Sequence, residues 1–146
     1  MIKIHRNSCD EKWVDFIFEV VYHFSEEYSL PDIELEFRNR SYGSHEMRNY
    51  RHYLIFGEKL LENYYQNGYS TYRRLDKIFV RNPRPRKFQA LLFHTIHEIT
   101  HLWISARDLR RRGDQHGRLF QKKFWEFLDS VQAYDENGYW INFIEE

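Results

Sequence analysis

Residues 93–103 read FHTIHEITHLW and contain His97-Glu98-Ile99-Thr100-His101, an H-E-x-x-H. The two outer histidines of that motif stand one turn apart on one face only if the run is helical. The flanking sequence meets that demand. Phe88, Leu91, Leu92, Ile96, Ile99, Leu102 and Trp103 recur at helical spacing. His97, His101 and Ser105 fall on another face, with Glu98 at its edge. The pattern opens at Arg86, just past Pro83 and Pro85, and runs on toward Arg112 and Gly113. A helix of that length is unusual in a globular domain, so a break is expected after Ser105. Two imidazoles one turn apart can grip a zinc ion, but a hydrolytic zinc site takes three protein ligands and leaves one position for water.

His116 is the choice for the third ligand. It lies at the start of the next expected helix, with Asp114 as its N-cap. The string is His116-Gly117-Arg118-Leu119-Phe120: Gly117 leaves room beside the ligand, and Phe120 anchors the helix one turn later. Phe120, Phe124, Phe127, Leu128 and Val131 give this helix its buried face. Glu126 is the competing third ligand, as in gluzincins. A metzincin would need glycine at 104 and histidine at 107, where the chain has Ile104 and Arg107. The inverted motif is absent.

H-E-x-x-H followed by H-G-x-x-F resembles the SprT-like zinc metalloproteases, the group that includes Spartan-type proteases of DNA–protein crosslinks. The resemblance covers about residues 73–130. It implies a strand before the motif helix, the motif helix, a connection, and a following helix carrying the third ligand. With an N-terminal helix and a small three- to four-stranded sheet read from the spacing elsewhere, the expected fold is an α+β, zincin-like domain. It implies zinc held by His97, His101 and His116, with Glu98 as general base in peptide hydrolysis. Proteins bound or crosslinked to DNA are the implied substrates. The chain departs from the family in lacking a C-terminal zinc ribbon and any recognisable DNA- or ubiquitin-binding appendage. The rival from another class is a nucleic-acid-binding module with a structural metal and no hydrolysis.

The oxyanion of such a reaction needs a donor besides the metal; Tyr134 and Arg118 are candidates by position alone, and the plainer reading of the two is a packed tyrosine and a surface arginine. Residues 77–81 read as a strand before the motif helix, whose edge could pair with an extended peptide. His94, one turn before His97, reads as packing beside the site rather than as a ligand. His5, His23, His45 and His52 read as ordinary surface or core residues.

The 146 residues carry no net formal charge, with 42% apolar and 18% aromatic side chains, so one domain spanning residues 1–146 with a real core is expected. Charge is unevenly spread. Residues 71–123 hold 14 basic and 4 acidic side chains, a +10 block around the motif. Such a block draws nucleic acid or an acidic partner. Arg84, Arg86, Lys87, Arg110, Arg111, Arg112, Lys122 and Lys123 are the candidate phosphate contacts, although Arg110–Arg112 suit equally the last turn of a helix, where cations complement the macrodipole. Cys9 is the single cysteine, which excludes an internal disulfide and fits a reducing compartment. With no signal peptide and no apolar run that could span a bilayer, a cytoplasmic or nucleoid-associated protein is expected.

Elsewhere the spacing predicts a strand over residues 1–5 and a helix over 9–28. Ser8 and Glu11 form the expected capping box of that helix. Further strands are predicted over 32–37, 50–56 and 75–81, with a loop over 38–49. Residues 57–68 suit either a helix or a strand. A turn at Asn137-Gly138 predicts a short terminal hairpin.

Overall fold

The structure, a computed structural model, describes residues 1–5, 9–67, 87–107 and 116–131. Among these lie four strands and four helices in an α+β arrangement. They are β1 (Ile2–His5), α1 (Glu11–Tyr28), β2 (Ile33–Arg38), β3 (Ser44–Arg48), β4 (Arg51–Gly57), α2 (Glu58–Asn67), α3 (Lys87–Ala106) and α4 (Arg118–Ser130). The strand order is β1-β2-β4-β3. β1, β2 and β4 run parallel, and β3 lies antiparallel to β4 at the edge.

α1 starts at Glu11 rather than residue 9, and its N-cap is Asp10, whose carboxylate accepts the Lys12 N–H at 2.9 Å. An aspartate caps as well as a serine, and Asp10 stands nearer the first apolar residue; Ser8 lies outside the described residues. Val14, Ile17, Val20, Val21 and Phe24 form the buried face of α1. Ser29, with φ 50°, closes the helix by donating its N–H to the Ser25 carbonyl.

In β2 the side chains alternate. Ile33, Leu35 and Phe37 join the core, beside Leu54 and Phe56 of β4, to which Leu35 and Phe37 are paired. The expected loop over residues 38–49 holds β3 instead. SHEMR lacks the β-branched and aromatic residues that mark a strand, so only pairing with β4 reveals it. The two strands close through Asn49 and Tyr50, with φ 49° and 64° between the paired Arg48 and Arg51. Two positive φ values at the centre of a two-residue turn suit the strand twist. The ambiguous residues 57–68 fall mostly in α2. The expected strand at 75–81 and hairpin near 137–138 lie outside the described residues.

α3 is the central helix. It packs on α1, α2 and α4, and every residue from Ala90 to Thr100 is buried. Thr95 and Thr100 satisfy their hydroxyls by donating to the Leu91 and Ile96 carbonyls, both at 2.7 Å. The helix ends at Ala106, close to the expected break. Its direction follows from its neighbours. His94 rests on Phe56, near the C-terminal end of β4. Trp103 rests on Phe127, which also meets Phe24 and Tyr28 at the end of α1, just before β2 begins. α3 therefore runs against β4 and β2, and in the same direction as β3. Among the described residues, no helix is long and apolar enough to cross a membrane.

Candidate metal centre

α3 brings two imidazoles together, and the turn before α4 adds a third. His101 Nε2 lies 3.1 Å from His97 Nε2, and His116 Nε2 lies 3.3 Å from the same atom. His97, His101 and His116 form a cluster that could hold a metal ion, with one ligand nitrogen from each and all three within 4.8 Å of one another. Nitrogens about 2.0–2.1 Å from a tetrahedral zinc stand roughly 3.3 Å apart along the tetrahedron's edges. The spacing to His97 Nε2 is that of such a site.

His116 differs from expectation in one respect: it precedes the helix instead of riding on it. α4 opens at Arg118 behind Gly117, which offers no side-chain cap. The His116 carbonyl is fixed by the Gln121 amide at 3.1 Å, and the Gly117 carbonyl accepts the Gln121 N–H at 3.0 Å. Phe120, fully buried, then packs against all three imidazoles, with ring centroids 4.9, 4.6 and 5.0 Å from His97, His101 and His116. One phenyl ring thus sets the orientation of the whole cluster.

Burial governs the charges here. His97 is held neutral, its pKa well below the ordinary value, first by desolvation and then by its neighbours His101, His94 and His116. A neutral imidazole is the form that ligates metal. Glu98 is also buried. Its Oε1 lies 3.9 Å from His97 Nε2, and its Oε2 has no hydrogen-bond partner among the described residues. Desolvation pushes its pKa up to about 8, while the nearby Arg40 guanidinium pulls the other way. A divalent cation on the three imidazoles would favour the carboxylate further. An orphaned carboxyl oxygen beside three converging nitrogens fits a site that could hold a metal ion.

His94 is not part of the cluster. It is packed between Phe56 and Tyr64, and burial lowers its pKa to about 3. Gly43 makes room for it: a Cβ there would stand 2.8 Å from the His94 ring. Glu126 is exposed and accepts an ion pair from Lys123 Nζ at 2.7 Å. It stands outside the histidine cluster. Arg118 lies exposed in the first turn of α4; Tyr134 lies outside the described residues.

Of the residues expected to touch phosphate, Arg84, Arg86, Arg110, Arg111 and Arg112 lie outside the described residues, and so does the Lys87 side chain. Lys122 is exposed. Lys123 is engaged within the protein, for beside its ion pair its ammonium sits 4.2 Å from the Trp103 ring centroid. Two histidines assigned no role pair across the edge hairpin: His45 Nε2 and His52 Nδ1 stand 3.0 Å apart with their rings stacked. Arg40, which acts on Glu98, carries no signal in the sequence, because it belongs to no spaced motif. Comparison of the chain with family models, with curated proteins and with solved structures returns no match.

Proposed function

We propose that the chain is a zinc-dependent endopeptidase of zincin-like, SprT-like architecture, with DNA-bound or DNA-crosslinked proteins as the substrates to test first. One observation carries this reading: the His101 and His116 nitrogens stand 3.1 and 3.3 Å from His97 Nε2, all three within 4.8 Å of one another, beside a buried Glu98 whose Oε2 has no hydrogen-bond partner among the described residues. An all-histidine donor set suits zinc among the common divalent ions. His97, His101 and His116 would hold it, leaving the fourth corner open. When bound, the ion supplies Lewis acidity toward a carbonyl and brings the pKa of water down to about 7.

The chain's own residues do the rest. Glu98 takes the proton of the attacking water and passes it to the leaving amine. Its burial suits the task, since a carboxylate stripped of solvent binds a proton more readily. Phe120 keeps the imidazoles aligned and shields them from bulk water. The extended substrate pairs with an edge strand. β3, which runs alongside α3 and is outermost among the described strands, is one strand available for that pairing; the strand expected at 77–81 lies outside the described residues.

The test is zinc content together with cleavage of a casein-type substrate, with and without DNA. Glu98→Gln should keep stoichiometric zinc and lose cleavage by at least about 10²-fold; activity equal to the parent rejects the base role. Stimulation by DNA supports the proposed substrates. Wild-type protein that binds zinc and DNA yet cleaves nothing points instead to a nucleic-acid-binding module with a structural metal.

A further inference from the structure

The three imidazoles of the cluster are not held alike. His97 and His101 ride on α3, whose hydrogen-bond ladder fixes both backbones. His116 stands just before Gly117, the N-cap of α4, and takes its aim from the turn. Gly117 has no side chain to cap the helix, so the support that serine or aspartate ordinarily gives such a turn is missing. Gln121 supplies another. Its backbone N–H closes the first turn of α4 on the Gly117 carbonyl at 3.0 Å. Its side-chain Nε2 reaches back past that turn and donates to the His116 carbonyl at 3.1 Å. Only the NH2 end of the amide can donate to a carbonyl, so the partner decides which way the amide faces.

Two neighbouring residues of α4 therefore divide one task. Phe120 packs on the His116 ring, with centroids 5.0 Å apart. Gln121 holds the peptide from which that ring hangs. The ligating nitrogen lies several bonds from the carbonyl, so a small rotation of the peptide is magnified at the ring. It would carry His116 Nε2 away from its place 3.3 Å from His97 Nε2. We propose that Gln121 is the positioning residue of the third histidine: its amide sets the His116 backbone so that the three imidazoles converge before a metal arrives. Groups that orient a metal ligand from outside the coordination sphere typically change metal affinity ten- to a hundredfold when removed. Gln121 acts on the backbone of its ligand rather than on the ring, which places it at the lower end of that range. The role rests on the three-histidine metal centre and holds whether or not a peptide is the substrate.

The experiment compares wild type, Gln121→Met and Gln121→Lys as full-length proteins. Methionine keeps the length and helix preference of glutamine without a donor. Lysine keeps a donor long enough for the His116 carbonyl, while its charge by itself opposes zinc. Three quantities are measured: zinc affinity by competition with a chelator, the visible spectrum of the cobalt(II)-loaded protein, and the melting temperature without metal. Gln121→Met should weaken zinc about tenfold. It should also dim the strong cobalt absorption of a four-coordinate site, as the third imidazole drops away. The metal-free melting temperature should stay close to that of wild type. Gln121→Lys should recover part of both losses. A Gln121→Met protein that matches wild type in zinc affinity or in cobalt spectrum overturns the proposal. So does a Gln121→Lys protein no better than Gln121→Met, which shows that the donor is not what counts. A loss of affinity that merely follows the metal-free melting temperature is a structural effect and overturns it too. Wild type that binds neither zinc nor cobalt removes the metal centre itself, and the role of Gln121 with it.

Discussion

Phe120 is the residue on which the cluster leans, because its ring touches three imidazoles from two segments and is itself fully buried. Truncation to alanine should cost about 3–5 kcal/mol of stability through the cavity it opens. It should also weaken zinc by tenfold or more as the rings lose their support. Urea unfolding and competition with a chromogenic chelator measure the two effects separately. His94 offers a test by pH. Its folded pKa, about 3, is depressed below the ordinary 6.5, so the unfolded chain binds the extra proton between those values. Its share of stability is therefore present above pH 6.5 and is lost as pH falls, by about 1.4 kcal/mol per pH unit. His94→Leu should flatten the acid limb of metal-free stability by one proton; an unchanged slope rejects that assignment. Neither residue's packing is written in its spacing. Phe120 was legible as an anchor because it follows His116 by one turn, but its contact with all three rings needed α3 and α4 side by side.

At the scale of elements, the helices were the legible part. α1, α3 and α4 each carry an apolar stripe at helical period, and α3 ends near the expected break. Starts were read less well, since caps depend on single residues: Asp10 caps α1, and Gly117 stands where Asp114 was expected. β3 was missed. Its five residues are polar at most positions and win their place by pairing with β4, which no local pattern announces. The turn that makes this pairing holds Tyr50 in the left-handed region, fully exposed. An L side chain there costs about 1–2 kcal/mol, which glycine avoids at some loss of chain entropy. Tyr50→Gly should therefore stabilise the protein by up to about 1 kcal/mol, read as a raised urea midpoint with the slope unchanged. A lower midpoint would show that the ring contributes more than the strain costs.

Over the whole molecule, a metal at the cluster would tie α3 to the turn that opens α4, where His97 Nε2 and His116 Nε2 already face one another at 3.3 Å. An ion bound to the folded state stabilises it by about 2.7 kcal/mol at a free concentration a hundredfold above its Kd. Zinc should raise the melting temperature by several degrees, and a chelator should reverse it. His116→Ala should remove the zinc-dependent part and leave the metal-free transition nearly in place. A zinc response that survives that substitution would falsify the three-histidine site. What the sequence alone determined is short in range: helical period, the one-turn spacing of His97 and His101, and a histidine at the start of the next amphipathic run. These follow from the repeat of the α-helix, which every local stretch carries. The tertiary structure alone decided the place of β3 beside β4 and α3 in the described sheet, and the spacing of His116 from His97. Those depend on strand order and on glycines that let backbone and ring come close, and such distances exist only when remote segments pack together.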